Sequence, residues 1–487
     1  MASSNGQNGN GHGNGNGAAE SVTKSKIQEY LSITLPECCL PELGEQKTGK
    51  VRDIYFSGEN VVMVTNDRVS AFDFILPNLI PFKGQVLNNI SEYTMAQTAD
   101  VLPNALVKNM DGGVVVQKKM KNLNVEWIVR GYLWGSMAAA YEKGDREFCG
   151  IKLEEGLNRF QKLSTPLFTP TSKAEVGHDE NMTYEEIEKL LGKDLAAQAR
   201  DAALRLFERG VEVMRKRGLI LIDTKYEFGV DEQGKLHVID EVNTPDSSRM
   251  CDIEEWEGKY PKIEAEMKTG QYKNVTELLQ KKPELKLKEF SKQYVRDALL
   301  DMGFNPQKDQ AAPKLSDEQV VECAYRYIKV YERITGMTFR FPDSKMAPAK
   351  RIIQNLQNEG MLVGGLVVVL RGKELQDPDS EALSAALAKL QVPCQTRALQ
   401  ADDEAAVQSA LAPYAASVQP VVVVALASSA GQAEALNRHA LKACRHPVLV
   451  CDGSQQHSPA AAADMSARIL APSCPRLAAA MATALAQ

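Results

Sequence analysis

Two neighbouring segments of the chain each begin as an apolar run and end in charged residues. The first begins at Gly218, continues through the apolar residues 219–222 and ends at Gly229, and the second covers residues 238–249. Residues 231–234 between them are polar and end in glycine, as a tight turn between two strands would. The pattern therefore predicts a β-hairpin.

The charged residues of this hairpin fall on one side of it. Because side chains alternate between the two faces of a strand, Asp223, Lys225 and Glu227 share a face. The hairpin would bring them near Asp240 and Glu241, which follow the apolar part of the second strand.

This set of side chains suits magnesium and phosphate. Mg²⁺ prefers hard oxygen ligands, commonly one or two carboxylates with phosphate oxygens and water. Lysine and arginine offset the charge of a transferring phosphoryl group, and Asp246 and Arg249 lie in the loop beyond the hairpin. The alternative is an ordinary hairpin with a solvated charged face. We favour the magnesium site because the acidic residues directly follow apolar runs.

The two segments resemble the signature motifs of the SAICAR synthetase (phosphoribosylaminoimidazole-succinocarboxamide synthase) family. These motifs are Asp-x-Lys-x-Glu-Phe-Gly after an apolar pair, and Asp-Glu-x-x-(Ser/Thr)-Pro-Asp-(Ser/Ala)-x-Arg. Further matches follow the family's order at residues 49–55, 67–73, 83–88, 129–136 and 169–175. The likeness covers about residues 21–343.

The resemblance implies an α+β fold that is related to ATP-grasp proteins and has two subdomains. It also implies a ligase of de novo purine biosynthesis with Mg²⁺ as cofactor. The substrates would be the small molecules ATP, L-aspartate and carboxyaminoimidazole ribonucleotide. The products would be SAICAR, ADP and phosphate, formed through an acyl phosphate.

Roles for individual residues follow from the same resemblance. The catalytic residues would be Lys225 and Asp240. Contacts to the ribonucleotide and aspartate would come from Arg68, Ser70, Asp73, Arg130, Ser136, Asp246 and Arg249. ATP would be bound by Lys50, Lys225, Glu227 and Asp240. The metal ligands would be Asp223, Asp240 and Glu241.

Lys50 ends a glycine-flanked stretch that looks like a P-loop. However, Val51 stands where a P-loop has Ser or Thr, and a strand pattern follows where a helix should begin. In the resembling family this stretch is a strand and turn over the nucleotide phosphates. We therefore interpret Lys50 as a phosphate-binding lysine outside a P-loop.

Other patterns predict the scaffold. Residues 51–56 and 61–65 read as a hairpin, whereas residues 67–73 are so rich in small polar and charged groups that we predict a loop. A capping box at Thr183 begins a helical pattern that continues to Gly218, and residues 291–336 are also predominantly helical.

Length and composition set broader bounds. A chain of 487 residues suggests two or three domains, and its net charge of −6 gives no basic footprint for nucleic acid. Nine cysteines without a Cys-x-x-Cys motif favour reduced thiols over a disulfide framework or a zinc site. No apolar run reaches the roughly 20 residues needed to span a bilayer. We expect a cytoplasmic protein, or a plastid protein if a transit peptide has been removed.

Composition changes near residue 361. Aliphatic runs at 366–370, 421–426 and 448–451 alternate with helical stretches at 380–390, 404–414 and 432–444. This alternation predicts an α/β flavodoxin-like domain with a parallel sheet. We predict a disordered tail at 1–20, a synthetase domain at 21–345, a linker at 346–360 and this domain at 361–487.

The position of the C-terminal domain resembles that of the aminoimidazole ribonucleotide carboxylase in bifunctional animal enzymes. The chemistry differs, because Arg371 and Gly372 stand where that family has a phosphate-binding Gly-Ser-x-Ser-Asp, and a histidine is missing near Thr396. We interpret the domain as an inactive carboxylase-like fold that could form a homo-oligomer. The alternatives are a bifunctional enzyme and an unrelated flavodoxin-like domain.

Two further functions remain open. A kinase-type phosphotransferase would use the same lysine and acidic residues, but the sequence has no His-Arg-Asp catalytic motif. A non-catalytic scaffold would not need Lys225, Asp240 and Arg249. ADP release that depends on both the ribonucleotide and aspartate would select the synthetase.

Overall fold

The computed structural model describes most of the chain as far as residue 362. The described residues are 22–40, 43–72, 74–173, 179–290, 293–306, 308, 311–362, 366–372, 394–399, 404–415, 421–426 and 448–451. The tail predicted at residues 1–20 and the candidate site residue Asp73 lie outside them.

The described residues form twenty strands and eleven α-helices. The strands are β1 Glu45–Thr48, β2 Arg52–Ser57, β3 Asn60–Thr65, β4 Arg68–Ala71, β5 Phe74–Leu79, β6 Leu106–Asp111, β7 Val114–Lys118, β8 Lys121–Asn122, β9 Val125–Tyr132, β10 Glu147–Phe148, β11 Ile151–Lys152, β12 Lys162–Phe168, β13 Thr171–Ser172, β14 Leu219–Val230, β15 Leu236–Ile239, β16 Ser248–Asp252, β17 Leu366–Gly372, β18 Cys394–Leu399, β19 Val421–Leu426 and β20 Val448–Cys451. The helices are α1 Lys24–Gln28, α2 Lys83–Thr98, α3 Gly135–Lys143, α4 Tyr184–Leu191, α5 Lys193–Arg215, α6 Ile253–Lys268, α7 Val275–Lys281, α8 Gln293–Asp301, α9 Asp317–Thr335, α10 Pro348–Asn358 and α11 Glu404–Ala415.

The first sheet is antiparallel and has the strand order β1-β2-β3-β7-β6. Its β2–β3 hairpin confirms the prediction for residues 51–65. Val62 and Val64 alternate toward one face, where they join a buried cluster with Val114 and Val116.

Helix α10 completes that cluster, so part of the segment predicted as a linker at 346–360 packs against the first sheet. Ile352 and Leu356 are fully buried and pack with the valines of the first sheet. Arg351 forms a two-pronged salt bridge with Asp111, at 2.8 Å and 3.0 Å. The sequence of this segment is polar overall because its buried residues form one narrow stripe with four-residue spacing.

The second sheet is built around the long strand β14. Strand β9 lies along one side of β14, and β16 and β15 lie along the other, all antiparallel. The β14–β15 pairing confirms the predicted hairpin, with Glu227 opposite Ile239 and Val230 opposite Leu236. Helix α5 packs closely behind this sheet. A Cβ on Gly131 of β9 would lie only 3.1 Å from the ring of Phe207 on α5.

One local prediction was wrong, and another was correct only in part. Residues 68–71 form strand β4, which pairs with β5, although we predicted a loop. Val69 and Ala71 are buried, so the polar residues occupy only part of the strand. The helix predicted from Thr183 to Gly218 begins at the expected capping box but is divided at Gly192, which has a φ of +83°.

The C-terminal strands form a parallel sheet, as predicted, in the order β18-β17-β19-β20. Strand β18 was not predicted. The helices predicted at 380–390 and 432–444 lie outside the described residues, whereas α11 corresponds to the helix predicted at 404–414. Among the helices that the structure describes, none is long and apolar enough to cross a bilayer.

Candidate functional site

The charged face of β14 carries a row of three ion-paired residues. Asp223, Lys225 and Glu227 alternate with Thr224 and the core residue Tyr226. Each of the three charged side chains has a partner of opposite charge from a neighbouring element. The alternation predicted from the sequence is therefore reproduced by the contacts.

Asp223 is paired with two arginines. It lies opposite Arg130 on β9 and opposite Arg249 on β16. Its Oδ2 accepts a hydrogen bond from Arg249 Nη1 at 2.7 Å and from Arg130 Nη1 at 3.1 Å. Ser136 at the start of α3 lies beside them, with its Oγ 3.5 Å from Arg130 Nη2. This arginine and serine group is suited to an anionic substrate.

The side chain of Arg249 lies next to Gly135, Glu289 and Asp223. Gly135, at a φ of +57°, leaves room for it, since a Cβ there would lie 2.9 Å from the guanidinium carbon. Glu289 Oε2 lies 3.8 Å from Arg249 Nε, and Glu289 also accepts a hydrogen bond from the Trp134 indole N–H. The negative charge of Asp223 outweighs burial and raises the pKa of Arg249. Burial raises the pKa of Glu289.

Lys225 and Glu227 are paired with residues that sequence reasoning did not select. Lys225 Nζ lies 2.6 Å from Glu126 Oε1, and Glu227 binds Lys173. Burial lowers the pKa of Lys225, but the charges of Glu126, Glu227 and Asp240 outweigh it, so the pKa lies above its ordinary value. Lys225 is therefore a fixed cation at neutral pH and not a base.

Asp240 follows β15 in a left-handed conformation, with a φ of +64°. Gln117 binds the backbone of Asp240 on both sides, because its Oε1 accepts from the Asp240 N–H at 3.0 Å and its Nε2 donates to the Asp240 carbonyl at 2.8 Å. Such a conformation is uncommon outside glycine, although aspartate tolerates it better than most residues. The side chain direction of Asp240 is thus set by a strained and clamped backbone.

Arg52 joins the two adjacent carboxylates of the second signature. Its Nη1 lies 2.6 Å from Asp240 Oδ1, and its Nη2 lies 2.7 Å from Glu241 Oε2. Burial lowers the pKa of Arg52, but the two carboxylates outweigh it and raise the pKa overall. Sequence reasoning missed Arg52, although it lies within the matched motif at residues 49–55.

The predicted metal ligands Asp223, Asp240 and Glu241 each have arginine partners in the structure. Among the described residues, no group of three or more His, Cys, Asp or Glu side chains is placed to hold a metal ion. The strand register explains this, because it places Asp223 between two arginines. Asp240 and Glu241 remain a pair of hard oxygen donors that already share one cation, Arg52. A cavity of about 10 Å³ beside Arg52, Asp240 and Glu241 is close to the space that one water molecule needs. Two carboxylates are the number that Mg²⁺ commonly takes from a protein, so the pair fits this ion, with water and phosphate oxygens as the other ligands.

Lys50 lies beside β1, an edge strand of the first sheet, whereas Arg68 and Ser70 lie on β4 of a separate two-stranded sheet. Lys50 is exposed in the turn between β1 and β2. Arg68 Nη2 donates to the carbonyl of Gly49 in that turn, at 3.1 Å, and to Asp53 Oδ1, at 3.0 Å. Ser70 is buried in β4. The structure therefore joins Arg68 to the turn of Lys50 and places Ser70 two residues further along the same strand.

Asp246 is an expected substrate ligand, but its carboxylate contacts other side chains of the protein. Its Oδ2 lies 2.7 Å from Lys83 Nζ, and its side chain is 3% exposed. Its Oδ1 accepts a hydrogen bond from the Tyr327 hydroxyl at 2.8 Å. Both oxygens are therefore engaged by helices α2 and α9.

Comparisons with known proteins agree with the motifs. A family model described as SAICAR synthetase matches residues 45–283. The phosphoribosylaminoimidazole-succinocarboxamide synthase of Cytophaga hutchinsonii is 40% identical over 313 residues, which are 63% of this chain and 93% of that protein. The protein of the same name from Bacteroides fragilis (strain ATCC 25285) is 41% identical over 315 residues, 63% of this chain and 92% of that protein.

A solved structure agrees as well. The SAICAR synthase of Saccharomyces cerevisiae, determined in complex with SAICAR, is 28% identical, with a TM-score of 0.52, and the match covers 63% of this chain and 99% of that chain. The matches confirm the resemblance recognised in the sequence and the family's fold for the N-terminal part. The chain belongs to the SAICAR synthetase family.

Proposed function

We propose that this protein joins L-aspartate to carboxyaminoimidazole ribonucleotide with consumption of ATP, forming SAICAR, ADP and phosphate. The main support for the proposal is the row of ion-paired residues on β14. It places the Asp223–Arg249 pair and the fixed cation Lys225 on one face, with Asp240 close enough to Lys225 to affect its pKa. Family membership supports the same reaction.

The arginine and serine group is the proposed ribonucleotide site. Arg130, Arg249 and Ser136 offer guanidinium and hydroxyl donors to a phosphate or carboxylate, and arginine binds such groups with two parallel hydrogen bonds. Asp223 holds both guanidinium groups in place before the substrate arrives. Arg68, Ser70 and Asp73 remain candidates for the same substrate or for aspartate.

The nucleotide site is proposed at the other end of the row. Lys225 and Lys50 would contact the phosphates of ATP, and Glu227 would orient the nucleotide. Asp240 and Glu241 would hold Mg²⁺, with Arg52 as their partner in its absence. When bound, Mg²⁺ offsets the negative charge of the phosphates.

The reaction has two displacements. In the first, a carboxylate oxygen of the ribonucleotide attacks the γ-phosphorus of ATP, the bond to the ADP oxygen breaks, and an acyl phosphate forms. In the second, the α-amine of aspartate attacks the acyl carbon, phosphate leaves with the bridging oxygen, and the amine nitrogen loses a proton. Lys225 stabilises the charge of the transferring group, since its raised pKa keeps it protonated. The protein acts mainly through positioning and charge, as in phosphoryl transfer generally.

We further propose a flavodoxin-like arrangement for the C-terminal strands. Their order places the second strand beside the first, and the third and fourth on its other side. This is the beginning of the 2-1-3-4-5 order of flavodoxin-like sheets.

The proposal is tested by following ADP and product mass with the full chain. We expect ADP formation to require ATP, Mg²⁺, the carboxylated ribonucleotide and aspartate together, with one SAICAR formed for each ADP. ADP release without aspartate, at the same rate, would instead indicate a kinase or an ATPase. Conversion of uncarboxylated aminoimidazole ribonucleotide with bicarbonate would indicate a bifunctional enzyme.

A further inference from the structure

Lys83 is a fully buried lysine at the start of α2. Its Nζ lies 2.7 Å from Asp246 Oδ2, and the two side chains are 0% and 3% exposed. The hydroxyl of Tyr327, on α9, donates to the other oxygen of Asp246 at 2.8 Å, and Lys83 Nζ lies 5.7 Å from the centre of the Tyr327 ring. A buried charge pair of this kind is costly to break, because it leaves one charge without a partner.

The hydrogen bonds continue from Asp246 to the candidate metal ligands. The backbone N–H of Asp246 donates to Thr244 Oγ1 at 3.2 Å, and the Thr244 hydroxyl donates to Glu241 Oε2 at 2.7 Å. Glu241 in turn lies 2.7 Å from Arg52, which also binds Asp240. A continuous chain of polar contacts therefore runs from the buried Lys83–Asp246 pair to Asp240.

The start of α2 is a rigid attachment point for this chain. The backbone N–H of Gly84 donates to Asp67 Oδ1 at 3.2 Å. A Cβ on Gly84 would lie 2.1 Å from the Thr65 carbonyl oxygen, so α2 approaches the end of β3 closely. Lys83 is thus fixed relative to the first sheet and contacts a loop that extends from the second.

We propose that Lys83 and Tyr327 are positioning residues, which act through Asp246 to hold the loop of Asp240 and Glu241 in the geometry that binds the metal and nucleotide. Asp246 itself is then a positioning residue and not a substrate ligand. Its carboxylate is 3% exposed and holds both Lys83 and Tyr327, and turning it toward a substrate would leave Lys83 buried without its charged partner. This inference rests on the proposed roles of Asp240 and Glu241.

The test compares Tyr327→Phe with Tyr331→Phe in the full chain. Both tyrosines are buried and lie one turn apart on α9, but only the Tyr327 hydroxyl binds Asp246. We expect Tyr327→Phe to speed amide hydrogen exchange in residues 241–249 and to raise the Mn²⁺ concentration for half-saturation, in the presence of ADP, by about tenfold, the order of effect of a lost hydrogen bond to a charged group. Mn²⁺ serves as the spectroscopic probe and is followed by electron paramagnetic resonance. The kcat should fall, with little change in the KM for aspartate or the ribonucleotide.

Three results would overturn the inference. The first is unchanged exchange and Mn²⁺ binding in Tyr327→Phe, with or without loss of activity. The second is a rise in the KM for one substrate alone, which would make Asp246 a direct ligand. The third is an equal effect of Tyr331→Phe, which would indicate general packing. Hydrogen exchange tests the positioning role without any turnover. A chain that makes no SAICAR but shows faster exchange in Tyr327→Phe would therefore contradict the proposed function and support the positioning role.

Discussion

The carboxylate of Asp223 and the guanidinium of Arg249 lie directly opposite each other on adjacent strands, 2.7 Å apart between Oδ2 and Nη1. A bulge in β14, between Leu221 and Asp223, sets the register that brings them together. Because Arg130 approaches the same oxygen, Asp223 serves two cations before any ligand binds. This pairing favours Asp223 as an organiser of the anion site.

Replacing Arg249 with alanine should weaken binding of the ribonucleotide more than binding of ATP. The change removes a guanidinium donor and leaves Asp223 with Arg130 alone. We expect the KM for the ribonucleotide to rise at least tenfold and the KM for ATP to change by less than threefold, since loss of a charge-assisted contact costs about 1.5–3 kcal/mol.

The matched control is Arg209→Ala. Arg209 forms a surface salt bridge with Asp100, at 2.7 Å, and surface pairs contribute little to stability. Arg209→Ala should leave the KM for the ribonucleotide and the KM for ATP unchanged. Ser136→Ala should show the same preference as Arg249→Ala, but more weakly. Equal effects of Arg249→Ala on the two KM values would place Arg249 at the nucleotide.

Asp240→Asn should lower kcat by ~10²–10³ without unfolding the protein. Asparagine tolerates the left-handed backbone that this position requires, at a φ of +64°, and is nearly isosteric with aspartate. The lost charge should weaken the proposed metal site and leave Arg52 with Glu241. Steady-state kinetics and thermal unfolding measure the two effects. A folded variant with normal turnover would remove Asp240 from the site.

Asp67 should make stability depend on pH. Burial raises the pKa of Asp67 from 3.8 to about 6 in the folded protein. The unfolded chain therefore releases this proton at lower pH than the folded chain does, and the contribution of Asp67 to the free energy of unfolding falls as pH rises from about 4 to about 6. The loss is at most about 3 kcal/mol.

Urea unfolding of the native chain and of Asp67→Asn checks this assignment. The difference between their urea midpoints should change between pH 4.5 and pH 6.5, in favour of the variant at the higher pH, because asparagine does not titrate. A constant difference across this range would show that the pKa of Asp67 is not raised.

A protein that ends after Leu362 should retain synthetase activity. Ile352, Leu356 and Leu362 are buried against the first sheet, so α10 must be kept. A chain that ends before Pro348 should lose stability by several kcal/mol, because burial of a leucine or isoleucine contributes about 1.5–3 kcal/mol. The isolated 361–487 fragment should not carboxylate aminoimidazole ribonucleotide. Activity of that fragment would make the chain bifunctional.

Local patterns in the sequence were sufficient for the β14–β15 hairpin and for the charged face of β14. Alternation is a property of neighbouring residues, and the polar turn between the strands is visible in the sequence. The partners of the residues that follow β15 were not predictable in this way. Arg52 meets Asp240 across 188 residues, and Tyr327 meets Asp246 across 81. No local periodicity reports such contacts.

One error shows where composition misleads. The polar residues 67–73 indicated a loop, but burial of Val69 and Ala71 stabilises a short strand there. Tertiary burial, which composition does not record, decided this case.

The most direct test of the proposed reaction uses a ribonucleotide whose carboxylate carries ¹⁸O in both oxygens. The full chain is incubated with this substrate, ATP, Mg²⁺ and aspartate, and the released phosphate and SAICAR are analysed by mass spectrometry. Ligation through an acyl phosphate predicts that each phosphate contains one ¹⁸O and that each SAICAR retains the other in its new amide. Unlabelled phosphate, or labelled ribonucleotide that is recovered intact while ADP accumulates, would contradict the proposal.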